Sequence, residues 1–134
     1  METIERRVTL PTDLAEAWDL LTDPDHLAGW LGAEVDLTPV VGTGGTVVDH
    51  DGQRRLLVVE EVVDGERLVW RWWGEAEDDA STVEISLTPA VDGTVVRVTE
   101  AATTPVARAE AGEAWSHRLL HLEAPLLVAA AVRG

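Results

Sequence analysis

Cysteine, lysine, asparagine, phenylalanine and tyrosine are all missing from these 134 residues. Without cysteine there is no disulfide framework, no thiolate nucleophile and no sulfur-built zinc site. Positive charge is scarce: 10 basic residues face 25 acidic ones, for a net charge of −15. A nucleic-acid backbone or an anionic membrane needs a basic face, so neither is expected as a partner. Long apolar runs are also lacking. The longest, Leu126 to Val132, is far short of the roughly 20 residues of a membrane span. METIERRVTL has no apolar signal region, so a cytoplasmic protein is expected. The missing residue types, set against abundant Ala, Val, Gly, Asp and Glu, read as the coding bias of a GC-rich genome.

What is present suffices for one folded domain spanning residues 1–134. The hydrophobic fraction of 46% is ordinary for a globular chain. Ile4, Arg6, Val8 and Leu10 alternate with Glu5, Arg7 and Thr9 as in a strand, which Pro11 ends. Asp13 and Glu16 stand at capping-box spacing before a short helix bearing Leu14, Ala17, Trp18 and Leu21. Asp23-Pro24 opens a second short helix that carries His26, Leu27 and Trp30. Asp51-Gly52, Asp64-Gly65 and Asp92-Gly93 are turn signals between apolar runs. They predict a meander of strands over roughly 34–40, 45–50, 53–63, 66–73, 81–90 and 93–101.

After Pro105, Trp115, Leu119, Leu122 and Leu126 follow the spacing of one helix face. Glu110, Glu113, His117 and His121 fall opposite, with Arg118 and Glu123 on the flanks. Pro125 lacks a backbone donor and crowds the carbonyl of His121, so a kink or break is expected there. An antiparallel sheet must cover its apolar face, and only this last helix is long enough to do so. The expected architecture is therefore α+β: a curved antiparallel sheet wrapped around a long C-terminal helix, with two short helices after the first strand. Space left between sheet and helix is a natural ligand site.

The blocks PTDLAEAWDLLTDPDHLAGWLG, VVEEVVDGERLVWRWW, STVEISLTPAVDGTVVRVTEA and AGEAWSHRLLHLEAPL occur in order over nearly the whole chain. They resemble the helix-grip, START-like (SRPBCC) superfamily, and in particular the branch named for the activator of the heat-shock-protein-90 ATPase. The resemblance implies a hydrophobic cavity between sheet and C-terminal helix. It does not imply one activity: such proteins include co-chaperones, lipid and hormone carriers and polyketide aromatases. Two departures stand out. Ala114-Trp115 replaces a frequent Gly-Trp, and Glu100 is followed by Ala101, Ala102 and Thr103 instead of a Gly and an aromatic.

Half of the six tryptophans lie in ERLVWRWWGEAEDD, residues 66–79. In a strand, Trp70 and Trp72 share a face with Leu68, while Trp73 takes the other side or the edge. Trp70 and Trp72 either fill the core or line a pocket, since both are apolar linings. Trp18 reads as core, and Trp30 and Trp115 as near the cavity. The acids Glu75, Glu77, Asp78 and Asp79 read as a solvated hairpin tip. Glu100 alternates in step with Val96 and Val98, so it points inward as a possible acid or base; the default for a carboxylate at a strand end is to reach water. Arg6 is a candidate partner for it. His117 and His121 read as a solvated face, and Asp49-His50-Asp51-Gly52 as a turn.

The function expected is non-catalytic binding of a small apolar molecule by Trp30, Trp70, Trp72, Glu100, Trp115 and Leu119. No metal, cofactor or catalytic residue is expected. The alternatives implied by the resemblance are a co-chaperone-like domain with a chaperone or other protein partner, and a polyketide cyclase- or aromatase-type enzyme.

Overall fold

A computed structural model of the chain describes residues 2–74, 80–102 and 105–133. Its elements are β1 (Glu2–Leu10), α1 (Leu14–Thr22), α2 (Pro24–Trp30), β2 (Glu34–Asp36), β3 (Gly44–Val48), β4 (Arg54–Val63), β5 (Arg67–Gly74), β6 (Ser81–Ala90), β7 (Gly93–Ala102) and α3 (Pro105–Arg133). The strands form one antiparallel sheet in the order β1-β7-β6-β5-β4-β3-β2. This is the helix-grip α+β arrangement: a curved sheet closed on one side by a long C-terminal helix.

Period-two alternation sets which side chains meet α3. In β7, Thr94, Val96, Val98 and Glu100 are buried while Arg97 is exposed. The neighbouring strands bring Leu57 and Val59, then Leu68, Trp70 and Trp72, then Val83, Ile85 and Leu87 to the same core. A bulge between Val59 and Glu61 shifts the parity of β4, so that Val62 packs on the core beyond it. Such a bulge also sharpens the local twist and helps the sheet to curl.

The short helices are held by their caps. Asp13 accepts from the backbone N–H of Glu16 at 2.8 Å, and Asp23 accepts from that of Asp25 at 2.9 Å. The three Asp-Gly turns form where expected, each with its glycine at positive φ. Gly93 is the most constrained. Its φ is +150°, and a Cβ there would lie 1.9 Å from the carbonyl oxygen of Leu10, a backbone atom that cannot swing away. Gly93→Ala is therefore expected to destabilise the fold by more than about 1 kcal/mol, measurable as a fall in Tm.

Three expectations are corrected. The strand expected over 34–40 ends at Asp36, because Pro39 has no amide to donate and the chain turns, with Val40 N–H donating to Thr38 O and Thr43 N–H to Val40 O. Of the kink or break expected at Pro125, the break does not occur, since α3 continues to Arg133. Arg118, expected at the flank of the apolar stripe, is buried at 5% exposure. The acids Glu75, Glu77, Asp78 and Asp79, and Thr103, lie outside the described residues. Among the described residues, no helix is long and apolar enough to cross a membrane.

Candidate functional site

The helix α3 lies against β1, β7 and α2, toward one side of the sheet. Trp115, Leu119 and Leu122 anchor it in the core. Arg6 of β1 packs over Gly112, where a Cβ would meet its Nη2 at 2.4 Å, and donates from Nε to Ser116 Oγ at 3.0 Å. On the other side, toward β3 and β4, a gap remains, and Arg118 spans it. Its Nε donates to Leu31 O at 3.0 Å and its Nη2 to Asp49 Oδ1 at 2.8 Å. Asp49 also accepts from Arg55 Nε on its other oxygen, at 3.2 Å. One carboxylate thus grips two guanidiniums.

Beneath this bridge sits Glu100, 5% exposed. The structure overturns the expectation that it reaches water, and its partner is not Arg6. Its carboxylate accepts from Trp72 Nε1 at 3.0 Å and from Trp115 Nε1 at 2.7 Å. The two indoles stack, with centroids 5.8 Å apart and planes at 23°. Trp70 meets Trp72 edge to face at 5.6 Å. Arg118 lies over both Trp115 (4.6 Å to the centroid) and Trp72 (5.1 Å), and Arg55 over Trp72 (4.8 Å). Two acids, Glu100 and Asp49, are therefore balanced by two arginines within one aromatic layer. Burial lowers the pKa of Arg118, while Asp49 and, more weakly, Glu100 pull it back up. Arginine starts so high that the guanidinium stays charged.

The expected site residues divide. Trp30 (3% exposed), Trp70 (0%), Trp72 (1%) and Trp115 (0%) are core residues packed against one another or their neighbours, and none is among the residues that line the hollows of about 340 and 440 Å³ or the groove beside Arg6 and Ser116. Trp30 satisfies its N–H on Leu20 O at 2.9 Å, whereas Trp70 Nε1 is buried without an acceptor. Leu119 borders a shallow groove beside Arg6 and Ser116. Of the six, only Glu100 reaches the gap. There it forms part of a cavity of about 340 Å³, lined also by Asp49, Asp51, Gln53, Arg55 and Ser81 and, from α3, by Ala107, Glu110, Ala111, Ala114 and Arg118.

Sequence reasoning missed Asp49, Arg55 and Arg118. The one available signal was a basic residue only three positions after Trp115, beside the apolar stripe. A second hollow, of about 440 Å³, adjoins the first and brings in His50, Glu113 and His117. Burial holds the pKa of His50 below its ordinary value, with His121, His117 and Arg118 adding to the effect and Asp49 opposing it.

Similarity to known proteins follows the whole fold. The family model described as Activator of Hsp90 ATPase homolog 1-like protein matches residues 11–126. None of the curated proteins matches the chain. Among solved structures, protein MLL2253 from Mesorhizobium loti is 25% identical, with a TM-score of 0.83 over 94% of this chain and 96% of that one. The Aha1 dimer from Colwellia psychrerythraea is 21% identical, with a TM-score of 0.80 over 94% and 96%. DynU16, from the dynemicin biosynthetic locus, is 22% identical, with a TM-score of 0.83 over 92% of this chain; the match spans only 46% of DynU16.

Proposed function

The chain belongs to the family of Activator of Hsp90 ATPase homolog 1-like proteins, and from that premise we propose that it is a binding domain that holds a small molecule, without transforming it, in the cavity over Glu100. The observation that carries this reading is the mixed lining of that cavity. Three alanines of α3 line it together with polar groups, among them four carboxylates and two arginines, so it is apolar in part and carries net negative charge. Its volume of about 340 Å³ falls in the range of small-ligand pockets. Glu100 already accepts two indole N–H groups, and Arg118 and Arg55 are held by Asp49. Glu100, Asp49, Arg55 and Arg118 are thus fixed groups suited to recognition, engaged in holding the fold.

The lining also refines the ligand. The tryptophans lie under the floor, so a purely apolar molecule would leave Glu100, Asp51 and Ser81 facing hydrocarbon, at the usual cost of burying unpaired polar groups. A flat molecule with an apolar face and a hydroxyl or amine edge satisfies both sides. The location of DynU16 in a biosynthetic locus is compatible with a molecule of that kind.

The test is a panel of amphipathic aromatic alcohols and amines, with a plain hydrocarbon dye for contrast, read by Tm and tryptophan emission. Trp72 and Trp115 donate to Glu100 and so report on its surroundings. Ala111→Leu should fill the cavity and abolish the ligand-induced Tm shift without lowering the Tm of the free protein. A panel that leaves Tm and emission unmoved, or ligands that bind Ala111→Leu equally well, would sink the reading.

A second reading, a protein-binding role as in a co-chaperone, draws on the outer face of α3. There Leu120 (58%), Leu127 (49%) and Val128 (64%) are exposed. For so acidic a chain, association with a heat-shock-protein-90 homologue should weaken with salt. Absence of binding at both low and high salt removes this reading.

A further inference from the structure

Three of the chain's four histidines meet at one place. His117 and His121 are one turn apart on α3, with ring centroids 4.4 Å apart. His50 comes from the turn between β3 and β4, far away in sequence. Its ring stacks on that of His121 at 4.9 Å and lies 5.8 Å from that of His117. The turn is fixed from below. Asp49, the preceding residue, is clamped by Arg118 and Arg55, and Gly52 N–H donates to Asp49 O at 2.9 Å. The bridge that shapes the cavity floor therefore also docks His50 against α3.

We propose that His50, His117 and His121 form a binding site for a divalent transition-metal ion of the zinc, nickel or copper type. The donor chemistry selects this class, because imidazole suits these metals whereas magnesium and calcium prefer oxygen. His121 Nδ1 lies 2.9 Å from His117 O. When Nδ1 carries the proton, it donates to that carbonyl and leaves Nε2 as the free donor. That is the outer hydrogen bond by which metal-bound histidines are commonly oriented. Among the described residues, none of the three imidazoles is hydrogen-bonded to a carboxylate or paired with one, so apart from His121 Nδ1 their ring nitrogens are not committed to another side chain. Glu113 and Asp51 line the adjoining hollow with His50 and His117, and they add the negative charge that favours a cation. Three histidines leave a fourth tetrahedral position for water or a bound molecule.

The nitrogens do not all lie within 4.8 Å of one another, so binding has to turn the rings. His50 and His117 are exposed and His121 is half-buried, which leaves room for that rotation. Asp19, Asp23 and His26 do bring ligand atoms that close. There, however, Asp23 caps α2 and His26 pairs with Asp19 at 3.5 Å. That group is explained by helix capping and a surface ion pair.

The experiment is calorimetric titration of the untagged chain with zinc and with nickel. A chain without cysteine leaves only histidine and carboxylate side chains to bind. One equivalent should bind saturably and raise the Tm. His50→Ala and His117→Ala should each weaken binding by at least about tenfold, the lower end of the effect of disturbing a metal-bound histidine. His26→Ala should bind as the wild type does. Circular dichroism checks that each variant is folded. Absence of saturable binding overturns the proposal. So does undiminished affinity in His50→Ala, which would leave only a helical pair, or loss of binding in His26→Ala, which would move the ion to the other group.

Discussion

Arg118→Ala is expected to lower the unfolding free energy by about 3–5 kcal/mol, the cost of removing one partner from a buried ion pair. Arg118 is 5% exposed and joins three elements: α3 itself, Leu31 at the end of α2, and Asp49 at the end of β3. Alanine would leave the Leu31 carbonyl and one oxygen of Asp49 without their donor and strip the cation from Trp115 and Trp72. Urea unfolding of Arg118→Ala, Asp49→Ala and the double variant forms the cycle that isolates the pair. The double variant should be much less destabilised than the sum of the singles. Arg118→Lys should recover only part of the loss, since an ammonium lacks the planar fork that reaches Leu31 and Asp49 together. Additive single variants would show that the bridge is a bystander and that α3 is held by its apolar stripe alone.

Trp72→Ala should cost about 3–5 kcal/mol by cavity formation, appearing as lost stability before any change in ligand binding. A sharper comparison uses phenylalanine at two positions on the same face of β5. Trp72→Phe removes the N–H that donates to buried Glu100 at 3.0 Å. Trp70→Phe removes an N–H that has no acceptor. Both rings shrink by the same atoms, so the cavity cost is similar. Trp72→Phe should therefore be the more destabilising by about 1.5–3 kcal/mol, the net worth of a hydrogen bond to a charged group. Paired urea melts decide it. Equal losses would mean that Glu100 keeps its place through Trp115 alone.

The division between the two tryptophans shows where sequence reasoning ends. Alternation along ERLVWRWW places Trp70 and Trp72 on one face, and the structure agrees. Alternation cannot say what lies opposite. The stack of Trp72 on Trp115 depends on how α3 packs over the curled sheet, and the two residues are 43 apart in the chain. The hollow expected between sheet and helix is occupied at that point by the rings themselves. The cavity over Glu100 is displaced to the flank, where alanines on α3 leave room.

Glu100 makes the same point for charge. Its inward direction was legible from its step with Val96 and Val98. Its exposure was not, because the general tendency of carboxylates to stay wet gives way where two indole N–H groups and an arginine converge. Arg6 was a reasonable partner by face but is engaged with Ser116 of α3. Pro125 likewise removes one hydrogen bond without ending α3, since a helix packed along the sheet is held by its side-chain contacts as well as by its own ladder.

The sequence by itself determined the order of elements, the turns, the caps and the inward faces, because these follow from local chemistry: glycine at positive φ, aspartate at a helix start, and periods of 2 and 3.6. Family membership was legible for the same reason, as blocks of local pattern in a fixed order. Only the tertiary structure decided that Asp49 clamps Arg55 and Arg118, that Glu100 is held by two tryptophans, and that His50 rests on His117 and His121. Each of these meetings joins residues from different elements. Their distances are set by how the curled sheet and α3 pack, which no periodicity along the chain encodes.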